Sequence, residues 1–138
     1  MEKYLEQLYN LALESSKNGD IPVGCIIIKN GNILSTGYNT RKCDNLVIGH
    51  AEINAICEAE KILGDFRLNG CILLTTLKPC KLCFEAIEAS RIDKVYYLLD
   101  QNLKSLYEPL KYVKLDIENN EYIDKYKKLF LDFFKNMR

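Results

Sequence analysis

The dipeptide Asn30-Gly31 joins two short apolar runs, and this arrangement constrains the fold more than any other feature of the chain. The runs Val23–Lys29 and Ile33–Tyr38 both have the length of a β-strand. Asn-Gly readily adopts the two positive φ angles of a type I′ turn, whose twist matches that of the paired strands. The sequence therefore predicts an antiparallel hairpin to which the other strands are added.

Segments with helical spacing of apolar residues alternate with short strand-like runs around this hairpin. Helices are predicted over Glu2–Asn18, from His50 to about Gly64, over Cys80–Ala89 and from Tyr122 to Phe133. Two further strands are predicted over Cys71–Thr76 and Lys94–Leu99. No regular element is predicted for Asn39–Gly49 or Gln101–Asn120. This alternation favours an α/β sheet with helices packed on its faces.

Size and charge narrow the class of protein. A chain of 138 residues has the size of one ordinary domain, so a single domain over residues 1–138 is expected. The 19 basic residues balance the 19 acidic ones, so any contact with a nucleic acid must come from a local patch. The apolar runs are much shorter than the roughly 20 residues that span a bilayer. We therefore expect a soluble, cytoplasmic protein that does not engage a membrane.

The chain has six cysteines and a single histidine, and two of the cysteines differ from the rest. Cys80 and Cys83 follow Pro79 at a predicted helix start, where the free amides and the helix dipole favour thiolates. Such a pair is either a metal clamp or a redox couple. Cys43 lies in a polar loop as a candidate exposed thiol. Three others lie in apolar patterns and are expected to be small buried side chains: Cys25, Cys57 and Cys71.

His50 opens another predicted helix and adds a nitrogen ligand to the two sulfurs. Three protein ligands leave one tetrahedral zinc position open, where the metal can lower the pKa of a water to about 7. Glu52 lies two residues after His50 and is a candidate general base for that water. His-x-Glu followed by Pro-Cys-x-x-Cys is the signature of zinc deaminases. A closed structural zinc with Cys43 or Cys71 as the fourth ligand remains an alternative.

Several further segments agree with this signature. They are Ile21-Pro22-Val23-Gly24, Gly37-Tyr38-Asn39, His50-Ala51-Glu52-Ile53, Leu77-Lys78-Pro79-Cys80 and Ser90-Arg91-Ile92. With these motifs the chain resembles the TadA-type tRNA adenosine deaminases of the cytidine-deaminase-like superfamily. The resemblance implies a three-layer α/β/α fold, with a mixed central sheet and helices on both faces.

The same resemblance implies a function and a site. The reaction is the zinc-dependent hydrolysis of adenosine to inosine in a tRNA anticodon loop, catalysed by a homodimer. Zn2+ is held by His50, Cys80 and Cys83, and Glu52 is the catalytic acid and base. Asn39 and the amide of Ala51 contact the adenine base of the substrate. Four basic residues fall in the family's RNA-facing terminal segment: Lys127, Lys128, Lys135 and Arg138.

Two other functions remain open. The run from His50 to Ile56 also resembles deoxycytidylate deaminases, so the substrate is alternatively a free cytosine-type base, nucleoside or nucleotide. Lys78 stands where the family usually has a glutamate, and the segment after Asp100 is shorter than in the family. A further alternative is therefore a zinc-binding module without turnover. The intact Glu52 argues against this alternative.

Overall fold

The chain forms a five-stranded mixed sheet between two layers of helices in a computed structural model, which describes residues 1–101 and 109–136. The strands are β1 (Gly24–Lys29), β2 (Asn32–Tyr38), β3 (Cys71–Leu77), β4 (Lys94–Leu99) and β5 (Tyr112–Lys114). The helices are α1 (Leu5–Lys17, after a 3-10 turn at Glu2–Tyr4), α2 (Arg41–Asp44), α3 (Ala51–Leu63), α4 (Lys81–Ser90) and α5 (Glu121–Asn136). The order across the sheet is β2-β1-β3-β4-β5.

The predicted hairpin is present. Asn30 and Gly31 have φ angles of 53° and 76°, as a turn between twisted strands requires. β1 pairs antiparallel with β2 and also with β3 on its other side. β3 and β4 run parallel because α4 carries the chain back between them. The sheet is therefore mixed, as expected.

Each face of the sheet packs against its own pair of helices. Cys25 and Ile27 of β1 lie with α3 and α4 on one face, while Ile26 and Ile28 lie with α1 and α5 on the other. Alternate residues of a strand point to opposite faces, so a strand buried on both sides is apolar throughout. The expected three-layer arrangement, with helices on both faces, is confirmed.

Two short elements were not predicted. β5 has three residues, too few for a visible alternation, and exists because β4 supplies its main-chain partners. Its flanks are fixed by hydrogen bonds from the Val95 amide to the Lys111 carbonyl and from the Leu115 amide to the Tyr97 carbonyl. α2 is a single four-residue turn within the expected loop. Among the described residues, no helix is long and apolar enough to cross a membrane.

The expectation of a buried side chain is met for two of the three cysteines in apolar patterns. Cys25 and Cys71 are buried in the sheet, but Cys57 is exposed, so its prediction was wrong. The buried positions of α3 are Ala51, Glu52, Ala55, Ile56 and Ala59, and Cys57 falls outside that stripe. Apolar character alone did not show which face of the helix the residue occupies.

The approach of α3 to β2 gives a test of the packing. A Cβ atom at Gly37 would lie 2.4 Å from the Ala51 carbonyl oxygen and 2.7 Å from the Ala55 amide nitrogen. Gly37→Ala therefore forces α3 away from the strand, and we expect a loss of about 1–3 kcal/mol in the free energy of unfolding. Urea denaturation measures it. The exposed change Asn32→Ala on the same strand is the control, and equal stabilities of the two variants would contradict this packing.

Candidate metal and catalytic site

Three side chains from two helix starts converge at one end of the sheet. His50 is the N-cap of α3, Cys80 is the N-cap of α4, and Cys83 lies in the first turn of α4. The Nδ1 atom of His50 is 3.7 Å from the Sγ atom of Cys80, and the ligand atoms of all three residues lie within 4.8 Å of one another. The fold thus brings together residues that are 30 and 33 positions apart in the chain.

The chemistry and the spacing of these atoms fit zinc. Bonds of about 2.0–2.3 Å from a tetrahedral zinc to nitrogen and sulfur place neighbouring ligands about 3.5–3.8 Å apart. The distance of 3.7 Å between His50 and Cys80 matches that edge. Neither Cys43 nor Cys71 belongs to the group within the described part of the chain, so the candidate site has three protein ligands there.

The two cysteines form an unequal pair. A hydrogen bond from the Cys83 thiol, aided by the backbone amides of Cys83 and Leu82, lowers the pKa of Cys80 to about 5. Donating that bond, together with burial, raises the pKa of Cys83 well above its usual value. The electrostatics of the pair therefore favour the thiolate at Cys80 and the thiol at Cys83. The proton of the Cys83 thiol is released when a metal binds, because the ligand form of cysteine is the thiolate.

Glu52 projects from the first turn of α3 into the protein beside this group. Its side chain is only 4% exposed, and its Oε1 atom accepts a hydrogen bond of 2.8 Å from the Thr75 hydroxyl. Burial raises the pKa of Glu52, while the hydrogen bond from Thr75 acts in the opposite direction. A raised pKa makes a carboxylate a better proton acceptor at neutral pH.

Asn39 follows β2 and joins three parts of the fold. Its Oδ1 atom accepts a hydrogen bond of 2.8 Å from the Ala51 amide, and its Nδ2 group donates to the Ile21 carbonyl at 3.0 Å. Its own amide donates to the Ser15 hydroxyl at 2.8 Å. The Ala51 amide therefore holds the Asn39 side chain. The Nδ2 group carries two hydrogens, of which the bond to Ile21 uses one.

Sequence reasoning missed two hydroxyl residues near the site. Ser15 supports Asn39 from α1, and Thr75 supports Glu52 from β3. Both lie inside apolar patterns, and both are fully buried. A hydroxyl at a core position of a helix or strand was the available signal, because buried polar groups almost always have a hydrogen-bond partner.

Lys78, the departure from the family motif, lies between the ends of β3 and β4. Its Nζ atom is 3.6 Å from the Asp100 carboxylate and 5.8 Å from the centre of the Tyr97 ring. Its carbonyl accepts a hydrogen bond from the Gln101 side chain at 2.8 Å. The lysine thus ties the ends of two parallel strands together, just before α4 begins.

Exposed apolar side chains precede the histidine. Leu46, Val47 and Ile48 are 51%, 78% and 50% exposed in the segment that leads to His50. Leu82, between the two cysteine ligands, is also exposed. Three consecutive exposed apolar residues beside a site are typical of a surface that contacts another molecule.

The sequence and the structure both have relatives among deaminases. The chain is 36% identical over 96 residues to the tRNA-specific adenosine deaminase of Bacillus subtilis, over 70% of this chain and 60% of that protein. The chain therefore spans about three fifths of the length of that relative. One similar solved structure comes from a study of A-to-I editing by tRNA:A34 deaminases. It has a TM-score of 0.74 and 25% identity, covering 82% of this chain and 97% of the other.

A guanine deaminase from Bacillus subtilis is also similar in structure, with a TM-score of 0.68 and 37% identity over 72% of this chain and 64% of the other. The family model for the cytidine and deoxycytidylate deaminase zinc-binding region matches residues 1–99, which include all three predicted ligands and Glu52. The resemblance drawn from the motifs is thereby confirmed. This chain belongs to the cytidine and deoxycytidylate deaminase zinc-binding family.

Proposed function

We propose that this chain is a zinc-dependent hydrolytic deaminase that converts adenosine to inosine in the anticodon loop of a tRNA. The observation that carries the proposal is a buried carboxylate, Glu52, beside a group of three nitrogen and sulfur ligands, one fewer than a closed tetrahedral zinc site has. A purely structural metal needs no such base. The similarity to tRNA-specific adenosine deaminases supports the choice of substrate.

In this mechanism the protein residues have separate tasks. His50, Cys80 and Cys83 would hold the zinc, which would supply Lewis-acid activation of a water molecule. At its carboxylate, Glu52 would accept one proton from the attacking water as oxygen adds to C6 of adenine, and would pass that proton to the ring nitrogen N1. Glu52 would then take the remaining hydroxyl proton and give it to the amino group, which leaves as ammonia. Asn39, oriented by the Ala51 amide, donates a hydrogen bond from Nδ2 to the base.

Contacts to RNA would come from exposed cations. Lys127, Lys128 and Lys135 are exposed on α5, although Lys128 also pairs with Asp132 at 2.7 Å. Arg138 lies outside the described residues. The three lysines support an RNA substrate because phosphate contacts supply much of the affinity for nucleic acids.

The main alternative is a deaminase of a free base. The guanine deaminase of Bacillus subtilis is 38% identical over 97 residues of this chain, which favours guanine as the competing substrate. A cytosine-type nucleotide remains the alternative indicated by the residues around His50. Both reactions would use the same metal ligands and Glu52 as the same general base. The two enzymes would differ in the shape of the substrate pocket.

The identity of the substrate and the role of Glu52 as general base are tested together. We expect the zinc-loaded protein to form inosine in an anticodon stem-loop and to release no ammonia from guanine or deoxycytidylate. Glu52→Gln should keep its zinc but lose about 10²–10⁴-fold in rate, since an amide cannot accept the proton. Inosine is measured by mass spectrometry of the digested RNA.

Two outcomes would change these assignments. Turnover of guanine or deoxycytidylate with an unchanged stem-loop would replace the proposed substrate by a free one. A Glu52→Gln rate within about tenfold of the wild-type rate would remove Glu52 from the proposed role.

The ligand set is tested by the metal content. Cys80→Ala and Cys83→Ala should each bind less than one zinc per chain, because a site with three protein ligands holds zinc weakly after losing one. Cys57→Ala removes an exposed thiol outside the site and should keep full occupancy. Elemental analysis of the three proteins gives the comparison. Full zinc in both ligand variants would contradict the assignment.

We also propose that residues 1–138 act as one domain and that this domain forms a homodimer. α1 and α5, from opposite ends of the chain, share one apolar core. The exposed residues Leu46–Ile48 beside His50 are suited to a contact with a second copy.

The dimer is tested by sedimentation at micromolar concentration, where a particle of two 16.0 kDa chains is expected. Val47→Asp should shift it toward the monomer, because a charge at an apolar interface is costly to bury. Phe66→Asp, at an exposed aromatic outside the Leu46–Ile48 segment, should leave the dimer intact. A wild-type monomer would refute the homodimer.

A further inference from the structure

Thr75 is a polar residue in the middle of an apolar sheet. It is fully buried in β3, between Cys25 of β1 and Tyr97 of β4, on the face that α3 covers. Its hydroxyl lies 2.8 Å from Oε1 of Glu52 and 3.2 Å from the carbonyl oxygen of Leu77. Most side-chain hydrogen bonds go to the backbone or to water, yet this hydroxyl has its shorter contact with the carboxylate.

Metal binding leaves the Thr75 contact in place. The Thr75 hydroxyl donates to Oε1 of Glu52 from inside the sheet, and Thr75 is not one of the three candidate metal ligands. A cysteine that holds zinc is a thiolate with no hydrogen to donate. The Thr75 hydroxyl is therefore a donor that can fix the rotation of the Glu52 carboxyl group with and without the metal.

The Thr75 hydroxyl has two hydrogen-bond partners, the Glu52 carboxylate and the Leu77 carbonyl. This arrangement allows it to stay in contact with Glu52 when that carboxyl group gains or loses a proton. A hydroxyl has one hydrogen to donate and two lone pairs to accept. While Glu52 is a carboxylate, the hydrogen points to Oε1. After Glu52 has taken a proton from water, the hydroxyl can turn its hydrogen to the Leu77 carbonyl and accept from the acid. The contact therefore persists in both states.

On this basis we propose that Thr75 is a positioning residue, whose hydroxyl holds the Glu52 carboxyl group in one orientation throughout proton transfer. The proposal rests on the proposed deaminase function of Glu52. It assigns to β3 a task that Asn39, Ala51 and the three ligands do not perform.

The test compares two substitutions at Thr75. Thr75→Val keeps the shape and removes the hydroxyl, and kcat should fall about 10–100-fold, as is typical for partners of a metal site, with KM unchanged. Thr75→Ser keeps the hydroxyl and should restore kcat to within about threefold of wild type. Both variants should hold one zinc per chain.

The adjacent residue supplies a matched control. Thr76 is also fully buried, but its hydroxyl accepts a hydrogen bond from the Gly24 amide at 3.1 Å and does not bond Glu52 in the described structure. Thr76→Val should lower the melting temperature while leaving kcat within about threefold of wild type. An equal loss of kcat in both valine variants would show a general effect of a buried substitution and would overturn the proposal.

A second measurement does not depend on turnover. The infrared band of the Glu52 carboxyl group, identified by its loss in Glu52→Gln, should shift in Thr75→Val and return in Thr75→Ser, with and without zinc. An unshifted band in Thr75→Val would overturn the proposal. If Thr75→Val does not fold, Thr75→Ala removes the same hydroxyl without placing a methyl group against the carboxyl group.

The outcomes separate the two proposals. Full activity of Thr75→Val beside an inactive Glu52→Gln would reject the role of Thr75 and leave the deaminase intact. Equal activity of wild type and Glu52→Gln would reject the role of Glu52 in catalysis, while the infrared shift would still test its contact with Thr75.

Discussion

The direct packing of α3 on β2 is the contact on which the site depends. Gly37 lets the two backbones approach, and the Ser35 hydroxyl bonds the Ala55 carbonyl at 2.7 Å from the same strand. These contacts set the height of the helix above the sheet. His50 at its cap and Glu52 in its first turn are then carried to one end of the sheet, where α4 also begins. Small residues at this interface therefore help to set the position of the helix that carries His50 and Glu52.

Buried hydroxyls link the core to the site. Ser15 and Thr75 are both fully buried, and each bonds a residue to which we assign a role in the reaction. A hydroxyl in a core satisfies a polar partner at little cost in volume, and its rotation lets it serve as donor or acceptor. The helices on opposite faces of the sheet thus both contribute to one site, α1 through Ser15 and α3 through Glu52.

Two departures from the family motif flank the candidate cysteine ligands: Lys78 lies before them, and the segment after Asp100 follows them. Lys78 pairs with Asp100, and both lie where β3 and β4 end side by side. The family match ends at residue 99, close to this point. The three candidate metal ligands and Glu52 therefore all lie in the part of the chain that matches the family.

The sequence by itself determined the hairpin and the alternation of helices and strands, and it singled out His50, Glu52, Cys80 and Cys83 as candidate site residues, because turn chemistry and short motifs are local. It did not determine β5, the exposure of Cys57, or the roles of Ser15 and Thr75. Each of these depends on a contact between parts that are distant in sequence. β5 depends on its pairing with β4, and the exposure of Cys57 depends on which side of α3 packs against the sheet. The role of Thr75 depends on a carboxylate 23 residues away. Only the tertiary structure decides such pairs, since hydrogen bonds and burial between distant residues exist only after the layers have packed.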